Sequence, residues 1–199
     1  VRDRAPEYGQ RVSSSSEVRN LSEFLDKSGA SAYLAHDAVH VFSKGRVGMG
    51  KTDVSLVASL NRAQADLLPH LGAALRIALT RFIKEIHPDE LNSTCTDSLE
   101  TVLGLSNQEV NKALRGMGSA YIGFGAAYPC FFVGGWITGA RGSGSPLLEE
   151  DIVLPVDVSD EELGRVMLDV LERSLAATLE LAVVPPKPKR TRAKKAASE

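Results

Sequence analysis

Alternating apolar and polar positions predict β-strands in two separate parts of the chain. In the first part, residues 33–35 and 38–43 are rich in strand-forming side chains, and residues 54–60 alternate with a period of two. In the second part, residues 119–140 carry no charge and are long enough to span a membrane. Their many glycines and a proline disfavour a spanning helix and favour two buried strands joined by a turn at residues 126–129. A last strand is predicted at residues 152–156.

Apolar residues with helical spacing predict two amphipathic helices, each following one of these groups of strands. The first runs from about residue 67 to residue 86, with Pro69 in its first turn and Asp66 as its cap. The second follows Ser159, carries an apolar stripe as far as residue 179 and stops before the prolines at 185–186. Between them, the capping box of Ser106 and Glu109 predicts a short connecting helix.

A pseudo-repeat relates the two parts. Residues 31–34, Ser-Ala-Tyr-Leu, recur as Ser-Ala-Tyr-Ile at residues 119–122, and each copy continues through a glycine-rich turn and a strand into a helix. We therefore predict an α+β fold in which two ββα-like units form one sheet flanked by helices, with a short connecting helix. The predicted organisation is a flexible leader at residues 1–19 and a single domain at 20–184, with the repeat at 31–86 and 119–184. A disordered basic tail follows at 185–199.

Charge is distributed unevenly over the 199 residues. The net charge of −2 divides into +5 on residues 185–199 and −7 on the first 184 residues. An acidic body disfavours specific nucleic-acid binding and suits a basic protein partner. The two cysteines, Cys95 and Cys130, fit no disulfide framework, and no signal peptide or inserted segment is predicted, so we expect a cytoplasmic protein.

Residues 45–52, Gly-Arg-Val-Gly-Met-Gly-Lys-Thr, match the phosphate-binding loop of nucleotide hydrolases. In that loop Lys51 would contact phosphate and Thr52 would hold magnesium, beside Gly45 and Gly50. The motif must open a helix, however, whereas residues 54–60 alternate like a strand. The second copy also places Gly-Ala-Arg-Gly-Ser-Gly at 139–144, without the lysine. We therefore favour a hairpin turn and keep a small nucleotide hydrolase as an alternative function.

Four acidic residues form the predicted partner-binding surface: Glu149, Glu150, Asp151 and Asp157. The first copy does not reproduce the cluster at 149–151, so turn solvation explains it poorly. His36 and His40 would share one face of a strand, but no third ligand is evident, and no metal site is predicted.

Several segments resemble the immunity proteins of bacterial contact-dependent growth inhibition systems (CdiI). The first segment is the strand Ile-Val-Leu-Pro at 152–155 together with the start of the following helix at 157–164. The second is the helical segment at 103–114 that leads to a strand from Tyr121. The third is the first hairpin and helix, from residue 39 onwards. The likeness covers about residues 33–176.

The resemblance implies a protein that binds the toxic C-terminal domain of a delivered effector, often a nuclease, and covers its active site. It implies no catalytic residue and no cofactor, and the cognate toxin domain would be the partner. An acidic body suits a basic nuclease. A structural or assembly subunit, using the apolar second hairpin and the basic tail, is a third hypothesis.

Overall fold

The computed structural model describes residues 28–95, 97–125, 129–138, 144–148 and 151–183. The predicted leader, the predicted tail, Glu149 and Glu150 lie outside these residues. The strands are β1 Gly29–Ala35, β2 Ala38–Val47, β3 Gly50–Asn61, β4 Gly118–Gly125, β5 Cys130–Thr138, β6 Gly144–Pro146 and β7 Ile152–Pro155. The helices are α1 Leu67–Thr80, α2 Leu91–Thr94, α3 Leu99–Leu103, α4 Asn107–Ala113 and α5 Asp160–Val183, with 3-10 turns at Pro88–Glu90 and Leu114–Gly116.

The strands form one antiparallel sheet, so the predicted α+β architecture is confirmed. The strand order is β3-β2-β1-β4-β5-β6, and β7 pairs with β5 beyond the end of β6. Three strands precede α1, and β4 to β7 precede α5, so each unit holds more strands than the two of a minimal ββα unit. The units meet where β1 pairs with β4.

The two long helices cover one face of the sheet and form the main core with it. Alternate residues of β1 and β4, such as Ala32 and Ile122, point into this core, together with Leu75 of α1 and Met167 of α5. The helices approach closely because small residues lie at their crossing. A Cβ atom added to Gly72 would lie 1.9 Å from the carbonyl oxygen of Asp160, and one added to Gly164 would lie 2.0 Å from that of Leu68.

Arg76 fastens α1 to the start of α5. Its Nε donates to Asp160 Oδ1 at 2.7 Å, one terminal nitrogen donates to the carbonyl oxygen of Val156 at 3.1 Å, and the other donates to that of Val158. The guanidinium also lies 5.1 Å from the centre of the Phe131 ring. These contacts hold the loop between β7 and α5 against the core.

The short helices cover part of the opposite face. Leu99 of α3 and Val110 of α4 pack on Phe42 of β2, and Tyr33 and Leu56 border this second cluster. The predicted capping box is confirmed, since Ser106 and Glu109 exchange both of its hydrogen bonds at the start of α4. The part of this face formed by β1, β4 and β5 carries the cavity described below.

Helix α1 ends six residues earlier than predicted. Residues 83–86 run instead beside the end of β2, where Ile83 N donates to the carbonyl oxygen of Lys44 at 3.1 Å and Ile86 N donates to that of Arg46 at 2.8 Å. Burial of Ile86 against Gly45 anchors this segment. A tertiary strand-like pairing therefore overrides the helical spacing of residues 82 and 86.

The uncharged run from residue 119 forms β4 and β5, as predicted. Within the described residues, no helix is both long and apolar enough to cross a membrane.

Candidate functional site: a cavity on the sheet face

The residues that match a phosphate-binding loop form a β-hairpin. Gly45 pairs with Thr52, Val47 pairs with Gly50, and the two-residue turn between these strands holds Gly48 at a φ of 56°. The motif thus leads into a strand, β3, rather than into the helix whose N-terminal amides a phosphate loop needs. Lys51 and Thr52 stand in β3, so the phosphate-loop arrangement is not formed, and the hairpin interpretation of this motif is correct.

The two histidines of the close pair lie in different local structures. His36 lies in the β1–β2 turn with a φ of 52°, while His40 lies within β2, and its Nδ1 is 2.9 Å from Ser59 Oγ. Burial lowers the pKa of His40. Among the described residues, no group of three or more histidine, cysteine and carboxylate side chains is placed to hold a metal ion.

A cavity of about 460 Å³ lies on the sheet face opposite the long helices. The cavity is recessed over β1 and β4 because these strands present small residues to it: Gly29, Ser31, Ser119 and Gly123. The strand period explains this arrangement, since residues of β4 alternate between the helix-covered core and the half-buried cavity face. A volume of this size is typical of ligand and anchor-residue sites.

One wall of the cavity is built around the carboxylate of Asp53 in β3. Tyr33 OH donates to Asp53 Oδ2 at 2.7 Å, Ser31 Oγ donates to Oδ1, and Lys44 Nζ lies 3.1 Å from Oδ1. Burial, and then the charge of Asp53, raise the pKa of Tyr33 well above its usual value. Tyr33 is therefore a neutral donor, and the charge of Lys44 is compensated.

Lys51 lies at the edge of the same wall. Its Nζ donates to the carbonyl oxygen of Ser28 at 3.4 Å and lies 5.3 Å from the centre of the Phe82 ring. Burial, followed by the positive charges of Lys44 and Arg46, lowers the pKa of Lys51. Lys51 thus adds positive charge to one end of the cavity.

The opposite wall is aromatic and ends in a carboxylate. The ring centres of Tyr121 and Trp136 are 5.6 Å apart, and Tyr121 OH donates to Asp151 Oδ1 at 2.5 Å. Burial, and then this hydrogen bond, raise the pKa of Tyr121 to about 12, so its hydroxyl remains a donor at neutral pH. Phe132 lines the same wall, and 39% of Trp136 is exposed.

Two features hold this wall in place. Gly134, opposite Tyr121 in β5, leaves room for both polar partners, because an added Cβ would lie 2.4 Å from Asp151 Oδ1 and 2.5 Å from Tyr121 Cζ. Behind Trp136, the buried hydroxyl of Ser174 donates to the carbonyl oxygen of Trp136 at 2.6 Å and accepts from Ser119 N at 2.8 Å.

The predicted acidic surface is only partly assembled at the cavity. Asp151 lines it, whereas Asp157 is exposed in the turn before α5 and does not line it. Glu149 and Glu150 lie outside the described residues. Sequence reasoning missed Tyr121, Phe132 and Trp136, although the repeated Ser-Ala-Tyr and the period of two place these aromatic residues on one face.

Comparison with known proteins identifies similar folds. No protein-family model and no curated protein sequence matches the chain. A protein of unknown function from Neisseria meningitidis is similar over 76% of this chain and 94% of its own, with a TM-score of 0.54 and 16% identity. A chain of the CdiA-CT/CdiI toxin and immunity complex from Yersinia pseudotuberculosis is similar over 74% and 97%, with a TM-score of 0.50 and 18% identity. At these identities the likeness is one of fold.

Proposed function

We propose that this protein is an immunity protein that binds and neutralises the toxic C-terminal domain of a contact-delivered bacterial effector. The observation that carries the proposal is the fold similarity to a chain of a toxin and immunity complex, which extends over 97% of that chain. Fold alone does not define function, so the proposal also draws on the sequence resemblance at residues 33–176 and on the cavity.

Charge supports a basic partner such as a nuclease. The first 184 residues carry a formal charge of −7, and complementary charge speeds the encounter of two proteins and disfavours wrong partners. The neutraliser would act in the cytoplasm by occupying the toxin rather than by chemistry of its own, so binding would be stoichiometric. Asp151 is the predicted partner-binding residue that the cavity presents.

Competition between two strains tests this function. In a bacterium that encodes the chain, a deletion strain would be mixed with its parent, either in contact on a solid surface or separated by a filter. The deletion strain is expected to be lost only in contact, and expression of the wild-type chain is expected to restore its survival. Purified chain and the responsible effector domain should then form a complex of one-to-one stoichiometry.

Two results would contradict the proposal. Equal survival of the deletion strain and its parent in contact would remove the protective function. Growth arrest caused by expressing the chain alone would make it the toxic partner instead of the neutraliser.

A further inference from the structure

The aromatic wall of the cavity combines three features that recognise cations. The Tyr121 and Trp136 rings are adjacent, Trp136 keeps 39% of its surface exposed, and the Asp151 carboxylate ends the wall. Aromatic faces attract cations through their quadrupole, and a carboxylate alongside adds direct charge. The hydrogen bond from Tyr121 uses one acceptor position on Oδ1 of Asp151. A carboxylate offers about four such positions, so this exposed residue keeps acceptors for an incoming donor.

We propose that Tyr121, Trp136 and Asp151 form a recognition site for a guanidinium group, and that the site holds an arginine side chain of the protein partner. This inference rests on the proposed function for the source of the arginine, but not for the chemistry of the site. Arginine suits the site better than lysine because its planar group stacks on an aromatic ring while it donates two hydrogen bonds to one carboxylate.

The lysines of the cavity direct the arginine rather than exclude it. Lys44 is compensated by Asp53, and Lys51 turns its ammonium towards the carbonyl oxygen of Ser28 and the Phe82 ring. Both belong to the wall opposite Trp136, since they project from β2 and β3 while Trp136 projects from β5. A bound cation is therefore favoured at the Asp151 end and repelled from the Lys51 end.

The test uses the purified full chain and the fluorescence of Trp136, which is the single tryptophan of the sequence. The probe is Nα-acetyl-L-argininamide, and Nα-acetyl-L-citrullinamide is its neutral isostere, both titrated at matched ionic strength. The arginine probe is expected to change the emission saturably, with a dissociation constant on the order of ten millimolar, as one cation–π contact and one exposed ion pair allow. The citrulline probe is expected to produce no saturable change.

Matched carboxylate variants locate the response. Asp151→Asn keeps an acceptor for Tyr121 but removes the charge, and it is expected to weaken arginine binding by about tenfold. Asp89→Asn makes the same change at an exposed carboxylate outside the cavity and is expected to leave the response unchanged. Equal responses to the two probes, or an unaltered response in Asp151→Asn, would overturn the site, as would saturable binding of Nα-acetyl-aspartate in place of arginine.

The same variants separate this inference from the proposed function. If wild-type chain protects cells and Asp151→Asn fails to protect while Asp89→Asn succeeds, the arginine belongs to the effector. If Asp151→Asn protects as well as the wild type, the partner does not use this site. Failure of the wild-type chain to protect would refute the proposed function and leave the titration result standing.

Discussion

Ala32 of β1 and Ala120 of β4 are directly paired at the centre of the sheet. Because the strands are antiparallel, Ser31 then faces Tyr121 and Tyr33 faces Ser119, so the two Ser-Ala-Tyr segments are related by an approximate two-fold axis through the alanine pair. This relationship puts both tyrosines on the cavity face.

Each tyrosine donates to a carboxylate later in its own unit: Tyr33 to Asp53 and Tyr121 to Asp151. The first copy therefore does contain a counterpart of Asp151, which the sequence comparison overlooked. The difference between the copies lies around that pair. Asp53 is enclosed by Ser31 and Lys44, whereas Asp151 is exposed. One copy thus uses its carboxylate for structure, and the other leaves it accessible.

Replacing the enclosed carboxylate should destabilise the fold. Asp53→Ala removes the acceptor of Tyr33 and Ser31 and the counter-ion of Lys44, whose side chain is only 18% exposed. We expect the free energy of unfolding to fall by about 2 kcal/mol, since unsatisfied buried partners remain. Urea unfolding measures the change. Asp89→Ala, at a side chain that is 89% exposed, is the control, and equal midpoints for the two variants would contradict the role of Asp53.

The two tyrosines should make the fold sensitive to alkali. Their pKa values are raised, that of Tyr121 to about 12 and that of Tyr33 well above its usual value. Above pH 10 the unfolded chain loses these protons while the folded chain keeps them, so their contribution is complete below pH 10 and is lost as pH rises through the folded values. Urea unfolding at pH 8 and pH 11 should show this loss. The double variant Tyr33→Phe/Tyr121→Phe should show a smaller one, and an unchanged loss in that variant would assign the effect to other groups.

The sequence predicted the elements that depend on local chemistry. The capping box at Ser106 and the start of α5 after Ser159 were predictable because a helix terminus is satisfied by side chains within three residues. The end of α1 could not be predicted in this way, because residues 83–86 pair with β2 and only the tertiary arrangement supplies that partner. The central pairing of Ala32 with Ala120 could not be predicted from the sequence either, although the sequence does show the repeat.

The cavity site was predictable only in part, because its exposure also depends on tertiary packing. Asp151 was identified from its charge, but residues 119–140 were interpreted only as two buried strands joined by a turn, without an accessible face. The long helices cover one face alone, so Tyr121 and Phe132 are half-buried and Trp136 is partly exposed on the other. The packing of α1 and α5 decides which face of the sheet is covered. No local sequence pattern in β4 or β5 indicates that face.

The helix crossing should tolerate no added methyl group. Alanine at Gly164 would place Cβ 2.0 Å from the carbonyl oxygen of Leu68, a backbone atom that cannot move without separating α1 from α5. We expect Gly164→Ala to destabilise the protein by about 2 kcal/mol, although alanine alone would favour the helix by about 1 kcal/mol. Thermal unfolding measures this effect. Gly116→Ala is the control, because the added Cβ there would meet no atom within 4 Å outside its own local backbone and chain neighbours. A Gly164→Ala variant as stable as that control would contradict the close crossing.

A methyl group at Gly134 should disturb the aromatic wall more than the fold. The added Cβ would meet Asp151 Oδ1 and Tyr121 Cζ, which are side-chain atoms that can move aside, so we expect the free energy of unfolding to change by less than about 1 kcal/mol. Moving them separates Asp151 from the Tyr121 hydroxyl, and the response of Trp136 fluorescence to the arginine probe should weaken severalfold. Gly144→Ala is the matched control, because the atoms nearest its Cβ belong to Trp136 at an ordinary 3.5 Å. An arginine response in Gly134→Ala as strong as in Gly144→Ala would mean that the Tyr121–Asp151 hydrogen bond does not position the carboxylate for cation binding.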